Sequence, residues 1–342
     1  GGCCCCCSKY DKPKEVRTKW YGSFFSGLPR LEGKVVAVTG CTTGTGFVCA
    51  RDCAKLGATV VLLNRRSERS SVAYDAIKAQ VQGARVVSVE CDLQSFASVR
   101  EAAARLRKEL EATGLDVLCN NAGVMALADA PTEDGCDVQM QTNHLSHFLL
   151  TAEVWPLLAR AAELRGEARV VNHSSLARKG KKLAREYLGK NGGRLGGDAV
   201  GVTPFSGPRW QRYQQTKLAN MVFTYALRDR CQKVGSRVKA LAAHPGVAAT
   251  QLQVTSVQDG AMGSGLAHMV VSQSAEDGAI GIMRCCCDPD AKSGDFYGPA
   301  GTGMAGMAQK LPGEPEEKLA DQFSRALLWD ESQKSTGKVF DV

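Results

Sequence analysis

Short apolar runs alternate with longer amphipathic stretches along this chain. Lys34-Val35-Val36-Ala37-Val38-Thr39 is an apolar run that ends in glycines, as a buried parallel strand does. Residues 44–56 follow with helical spacing. Residues 59–63 read as a second strand, 68–82 as a helix and 85–90 as a third strand. Residues 95–112 read as a helix opened by a serine cap. A fourth strand at 116–119, a long helix at 134–162, a fifth strand at 169–173, a helix at 209–231 and a sixth strand at 238–243 continue the rhythm, and residues 295–297 make a seventh strand. Strands and helices in strict alternation require crossover connections. They predict an α/β, doubly wound, mainly parallel seven-stranded sheet with helices on both faces. The pattern assigns residues 31–300 to one domain, residues 1–30 to a tail, and 301–342 to an extension packing on the same domain. Residues 178–208 break the rhythm. They hold Gly180, Gly189, Gly192, Gly193, Gly196, Gly197, Gly201 and Gly207, and read as a loop-rich insertion of the kind that often forms a lid.

Composition narrows the field. The chain has 342 residues, 44% hydrophobic and 23% charged, which is ordinary for a globular protein. No apolar run reaches the roughly 20 residues that span a bilayer as a helix. The net charge of +8 favours phosphates or a lipid surface only weakly, and no nucleic-acid motif accompanies it. Of 15 cysteines, five stand at positions 3–7, three at 285–287, and the rest are scattered. That is neither a disulfide framework nor paired zinc-ligand spacing, so free thiols and no metal are expected. Cys41, Cys49 and Cys53 read as small hydrophobes around the first helix. His144, His147, His173, His244 and His268 form no ligand pair and read as core or surface residues.

Chemistry enters where the first strand runs into Thr39-Gly40-Cys41-Thr42-Thr43-Gly44-Thr45-Gly46. Gly40 permits a tight turn, Gly44 lets backbone approach a dinucleotide, and Gly46 lets the helix pack close to the sheet. Amides at the helix N-terminus, with Thr42 and Thr43 beside them, face a pyrophosphate. The spacing T-G-x-x-x-G-x-G resembles the short-chain dehydrogenase/reductase family, and the resemblance extends over roughly residues 33–300. It implies a Rossmann-type fold and a nicotinamide cofactor. The second strand ends in Asn64-Arg65-Arg66. A carboxylate for the ribose 2′-hydroxyl is missing there, and two guanidinium groups stand ready for a 2′-phosphate, so NADP(H) is the expected cofactor. By resemblance, Asp92 with Leu93 borders the adenine, and Asn121, Ala122 and Gly123 of the N-N-A-G segment border the cofactor. Pro245 and Gly246 lie near the nicotinamide, Thr250 bonds its carboxamide or a phosphate, and His244 is a packing residue.

Tyr213 and Lys217 match Y-x-x-x-K, which puts phenol and ammonium on one helix face. A phenol of pKa about 10 is a poor base at neutral pH, and a nearby cation pulls it toward the working range. The resemblance makes Tyr213 the proton donor or acceptor at the substrate oxygen. It makes Lys217 the partner that lowers the phenol's pKa and bonds the nicotinamide ribose. Ser175, in preference to Ser174, would bond the reacting oxygen, and Asn143 would hold a water in the proton relay. The resulting activity is hydride transfer between nicotinamide and a carbonyl or alcohol. Residues 141–150, 217–220, 297–299 and 328–332 look most like the retinol-dehydrogenase-like branch, shared with WW-domain oxidoreductases and protochlorophyllide reductases. A retinoid, steroid or other lipophilic carbonyl is the implied substrate. Two rivals are a light-dependent protochlorophyllide-reductase-like enzyme and a non-catalytic NADP sensor or scaffold. The complete Asn143, Ser175, Tyr213, Lys217 set disfavours the scaffold. The connection from Ser175 to Tyr213 is longer than is usual in the family. It carries Arg178, Lys179, Lys181, Lys182 and Arg185, as a substrate-selecting cover or a solvated loop. Family members often pair as homodimers through the helices after the fourth and fifth strands.

Gly1-Gly2 followed by five cysteines resembles a myristoylation and palmitoylation signal, although Cys5 stands where Ser or Thr is preferred. Lys9, Lys12, Lys14, Arg17 and Lys19 follow, then Trp20, Tyr21, Phe24 and Phe25 at an expected interface. Two lipid chains, or one with a basic patch, anchor a protein stably. The expectation is an intracellular enzyme, cytosolic or held peripherally at a membrane, with a tail that does nothing at a membrane as the alternative.

Overall fold

A computed structural model describes residues 12–262 and 272–342; the glycine-cysteine segment and His268 lie outside the described residues. The apolar runs form strands β1 (Val35–Thr39), β2 (Thr59–Asn64), β3 (Arg85–Glu90), β4 (Val117–Asn120), β5 (Ala168–His173), β6 (Val238–Ala243) and β7 (Phe296–Pro299). They are parallel and lie in the order β3-β2-β1-β4-β5-β6-β7, each chain of hydrogen bonds running between neighbours such as Ala37 with Val61 and Leu118 with Val170. The sheet has eight strands rather than seven. The eighth, β8 (Ala308–Lys310), pairs antiparallel with β7 at the edge. Only Ala308 of its three residues is buried, so it carries no apolar run to announce it.

Helices α1 (Tyr21–Ser26), α2 (Gly44–Lys55), α3 (Glu68–Gln80), α4 (Phe96–Leu110), α5 (Val138–Met140), α6 (Ser146–Arg165), α7 (Pro208–Val234), α8 (Gln251–Gln258), α9 (Ala275–Cys287), α10 (Gly313–Leu319) and α11 (Gln322–Thr336) complete the described elements. Ser95 caps α4 by accepting from Ser98 N, as its position predicts. The apolar faces of α4, α6 and α7 cover one side of the sheet; those of α2 and α9 cover the other. The expected long helix at 134–162 is divided. Asp137 caps α5, a π-helical turn spans Gln141–Leu145, and only then does α6 begin.

The tail assignment to residue 30 ends too late. Tyr21 and Phe24 are buried in the same core as α2 and α9. Asp277, in the first turn of α9, accepts from the amides of Lys19, Trp20 and Tyr21 at 2.8, 2.9 and 2.9 Å. These aromatics serve the domain core rather than an exposed membrane-facing surface. At the other end of the chain, Trp329 of α11 meets Phe148 of α6 edge-on at 5.3 Å and stacks on Phe340 at 5.0 Å.

Candidate active site

The strand order reverses between β1 and β4, which opens a crevice at the carboxyl ends of the strands. A cavity of 920 Å³ fills it. The glycine turn forms one wall. Gly40 has φ +64°, and a Cβ there would stand 2.7 Å from Ala122. A Cβ on Gly46 would stand 2.2 Å from Asn121 Nδ2 and 2.5 Å from Gly40 O, so no side chain is tolerated at either position. The amides at the start of α2 are left facing the cavity by this geometry.

Behind the turn lies a buried polar web. Asn121 Nδ2 donates to Thr39 O (2.9 Å) and Gly40 O (3.1 Å). Its Oδ1 is therefore an acceptor, and it receives Thr45 Oγ1 at 3.1 Å and His173 Nδ1 at 2.9 Å. Burial pushes the His173 pKa down to about 3, so the ring is neutral with the proton on Nδ1. His147 Nδ1 donates to Asn143 O at 3.0 Å, which leaves Nε2 to accept from Thr39 Oγ1 at 2.9 Å. Thr39 Oγ1 in turn accepts from the amides of Asn121 and Ala122, both at 3.0 Å. This web fixes the turn and the N-N-A-G segment to each other.

At the end beside β2, Asn64, Arg65, Asp92 and Leu93 line the cavity, and Arg66 does not. Ser67 and Arg69 line it instead. Ser67 caps α3, which carries Arg69 into the first turn of that helix. Asn64 Oδ1 is occupied by the Cys41 amide at 2.9 Å, and its buried Nδ2 has no partner. The signal for Arg69 was present, as a cation two residues past a serine cap, but it pointed equally to a solvated helix surface.

At the other end, Tyr213 and Lys217 share one face of α7 and both line the cavity with Ser175. Lys217 Nζ lies 5.8 Å from the Tyr213 ring centre and donates to His173 O at 3.1 Å. Burial pushes Tyr213 up to about 12, opposed by a hydrogen bond with Ser175, and pushes Lys217 down to about 8. Burial, rather than the ammonium, thus dominates the phenol here. Both groups are dry, and desolvation penalises the charged form of each. Ser174 has turned away and donates to Lys217 O at 2.7 Å.

The Asn143 side chain is committed to protein partners. It does not line the cavity. Its Oδ1 accepts from Val124 N (2.7 Å), and its Nδ2 donates to Val124 O (2.9 Å) and Thr216 Oγ1 (2.8 Å). It clamps the loop after β4 to α7. A Cβ on Gly123 would stand 3.2 Å from both Asn143 Oδ1 and Lys217 Nζ, so the clamp and the ammonium meet at that glycine. Gly123, Ala122, Pro245, Gly246 and Thr250 line the wall between. Thr250 packs against Gly44, where a Cβ would meet its Cγ2 at 3.1 Å. His244 accepts from the Gly246 amide at 3.2 Å and packs against Gly298.

Sequence patterning did not single out the apolar mouth. Met125, Leu127, Leu176, Phe205, Trp210, Met262 and Met304 line it. Phe205 meets Trp210 edge-on at 4.9 Å, and Trp210 meets Tyr213 edge-on at 6.0 Å. Phe205 and Lys179 bring the insertion to the cavity. Their signal was a lone aromatic and a lone lysine among glycines, too sparse for any periodicity. No helix among the described residues is long and apolar enough to cross a membrane.

Known proteins share sequence or fold with this chain. A family pattern described as short chain dehydrogenase matches residues 34–188. Mouse retinol dehydrogenase 13 is 37% identical over 65% of this chain and 60% of its own. Mouse polyprenol dehydrogenase is 32% identical over 91% of this chain and 86% of its own. The chain spans 60–64% of the length of the mouse and human retinol dehydrogenases 13 and of an uncharacterised Schizosaccharomyces pombe oxidoreductase. An uncharacterised Mycobacterium paratuberculosis protein of known structure superposes with a TM-score of 0.70, at 31% identity, over 96% of this chain and 100% of its own. With the glycine turn, the tyrosine–lysine helix and the sheet order already in place, these matches show that the chain belongs to the short-chain dehydrogenase/reductase family, on its retinol-dehydrogenase-like branch.

Proposed function

We propose that this chain is an NADP(H)-dependent oxidoreductase that interconverts a lipophilic carbonyl compound and its alcohol. The observation that carries the reading is the convergence of Ser175, Tyr213 and Lys217 at one end of a cavity whose other end is the glycine turn. The cradle fits a dinucleotide: Gly40, Gly44 and Gly46 line it without side chains, and the N-terminal turn of α2 opens onto it. Arg65, Arg69 and the unpartnered Asn64 Nδ2 offer donors for a 2′-phosphate. When bound, the nicotinamide supplies the hydride donor or acceptor.

The chain's own residues supply the rest. With its pKa near 12, Tyr213 keeps its proton at neutral pH and is ready to give it to a carbonyl oxygen as negative charge develops there. Ser175 donates to the same oxygen and stabilises it. Lys217 holds positive charge beside the forming phenolate. The alcohol direction reverses each transfer. The apolar mouth excludes water and selects hydrophobic substrates, in line with relatives named for retinol and polyprenol.

The test is NADPH consumption in the dark over retinal, steroid and aliphatic carbonyls. Tyr213→Phe should lower turnover about 100- to 10,000-fold and leave NADPH binding unchanged. Unchanged turnover in that variant would refute the acid role. Turnover only under illumination with a bound pigment would instead favour the light-dependent reading.

A further inference from the structure

Ten cysteines lie among the described residues, and all are buried. Three of them converge. The Sγ atoms of Cys49 on α2, Cys119 on β4 and Cys286 on α9 lie within 4.8 Å of one another. Cys49 and Cys286 are 3.9 Å apart. Sequence spacing gave no hint of this, because the three residues come from distant parts of the chain.

We propose that these three thiols form a binding site for a soft monovalent cation, of the chemical class of Cu(I). Three sulfurs placed about 2.3 Å from one ion stand about 4 Å apart, which is the scale observed before any ion draws them together. Soft thiolates select copper(I), zinc or iron–sulfur clusters. Structural zinc requires four ligands in a tetrahedron. No fourth cysteine, histidine or carboxylate joins this group at the same distance among the described residues. A three-coordinate ion is what the arrangement suits.

Positive charge stands close to the site. Arg169 donates to Cys285 O at 3.0 Å, one residue from the site. On loading, each S–Cu bond that forms from a thiol releases one proton, and no oxidation state changes. The ion would tie three elements together. Cys49 lies on the helix that opens at the glycine turn, and Cys119 lies on the strand that runs into Asn120-Asn121.

The experiment uses the full chain with the five cysteines at positions 3–7 changed to serine, so that they cannot capture metal. The protein is expressed in copper-supplemented culture and purified under anaerobic, reducing conditions. One equivalent of copper is expected, with X-ray absorption showing three sulfurs at about 2.3 Å. Loaded protein should melt several degrees above metal-free protein. Cys119→Ala and Cys286→Ala, each confirmed folded by circular dichroism, should drop the copper content at least tenfold and lose the thermal gain. Copper content below a tenth of an equivalent in the parent protein would overturn the proposal. So would copper that survives both variants, or zinc with four ligands in its place.

Discussion

Lys217 is the residue at which electrostatics and chemistry meet most directly. Burial lowers its pKa to about 8, so its ammonium is present below that value and lost as the pH rises through it. Carbonyl reduction, which needs the ammonium beside the forming phenolate, should therefore be level near pH 6–7 and fall above about pH 8. Lys217→Arg keeps its charge across that range. The alkaline fall in kcat/KM should disappear in that variant, even if overall turnover drops. A fall that persists unchanged would assign it to another group. Cofactor choice is also decided at this scale. Removing a charge-assisted bond to a phosphate costs about 1.5–3 kcal/mol, so Arg65→Ala and Arg69→Ala should each raise the KM for NADPH about 10- to 100-fold and leave that for NADH unchanged. Arg66→Ala, whose side chain stands outside the cavity, should change neither. Titration of both cofactors against all three variants checks this. The glycine turn and the shared helix face of Tyr213 and Lys217 follow from local spacing, whereas Ser175 was chosen over Ser174 by resemblance alone. The contacts of Asn143, His147 and His173 were not legible in the sequence. Their partners are set by folded contacts such as Asn143 with Thr216 and His173 with Asn121, and no local rule reports which way a buried amide turns.

At the scale of elements, the insertion and the C-terminal extension meet behind Ser175. Arg178 ends a one-turn 3-10 helix that Ser175 caps. Its Nη1 donates to Ser175 O at 3.0 Å, and its guanidinium lies 4.5 Å from the Phe296 ring centre. The same group is paired with Glu316 of α10, Nε to Oε2 at 2.7 Å, and both side chains are buried. Removing one partner of a buried pair strands the other charge, at a cost of about 3–5 kcal/mol. Arg178→Met should therefore lower the melting temperature and also loosen Ser175. Turnover should fall about tenfold or more, with the dissociation constant for NADPH unchanged, because the glycine turn is built independently. The double variant Arg178→Met with Glu316→Gln removes the stranded carboxylate and should recover part of the stability but not the turnover. If both recover together, Arg178 serves the fold alone. Alternating apolar runs made the seven parallel strands and their helices legible. They could not show β8, the π-helical turn before α6, or this ion pair. The strand is too short to show a period, the turn inserts one residue into an otherwise helical pattern, and the ion pair joins residues 138 positions apart.

For the molecule as a whole, the order of strands creates the crevice, and the segments outside the alternating core complete its support. The segment before β1 shows this most clearly. Its helix is only six residues long, so composition without periodicity read as a tail. In the folded chain Tyr21 packs against α2 and α9, and its hydroxyl donates to Asp52 at 2.7 Å. Asp52 is also held by Arg51 and Lys55 at 2.7 and 3.0 Å, so losing the phenol oxygen leaves that carboxylate satisfied. Tyr21→Phe should then cost only about 1 kcal/mol, the net worth of one hydrogen bond. Tyr21→Ala removes a buried ring and should cost about 3–5 kcal/mol. Asp277→Ala should cost about 1–3 kcal/mol or more, because it strips a shared acceptor from the amides of Lys19, Trp20 and Tyr21 in a partly buried setting. The order Tyr21→Phe, then Asp277→Ala, then Tyr21→Ala is therefore expected in denaturant midpoints. A chain beginning at residue 31 should be less stable than any of them. Bound NADPH adds stability by mass action to every form that retains the cradle, so each midpoint should rise on its addition. Equal midpoints for the full and shortened chains would show that the segment rests on the domain without supporting it.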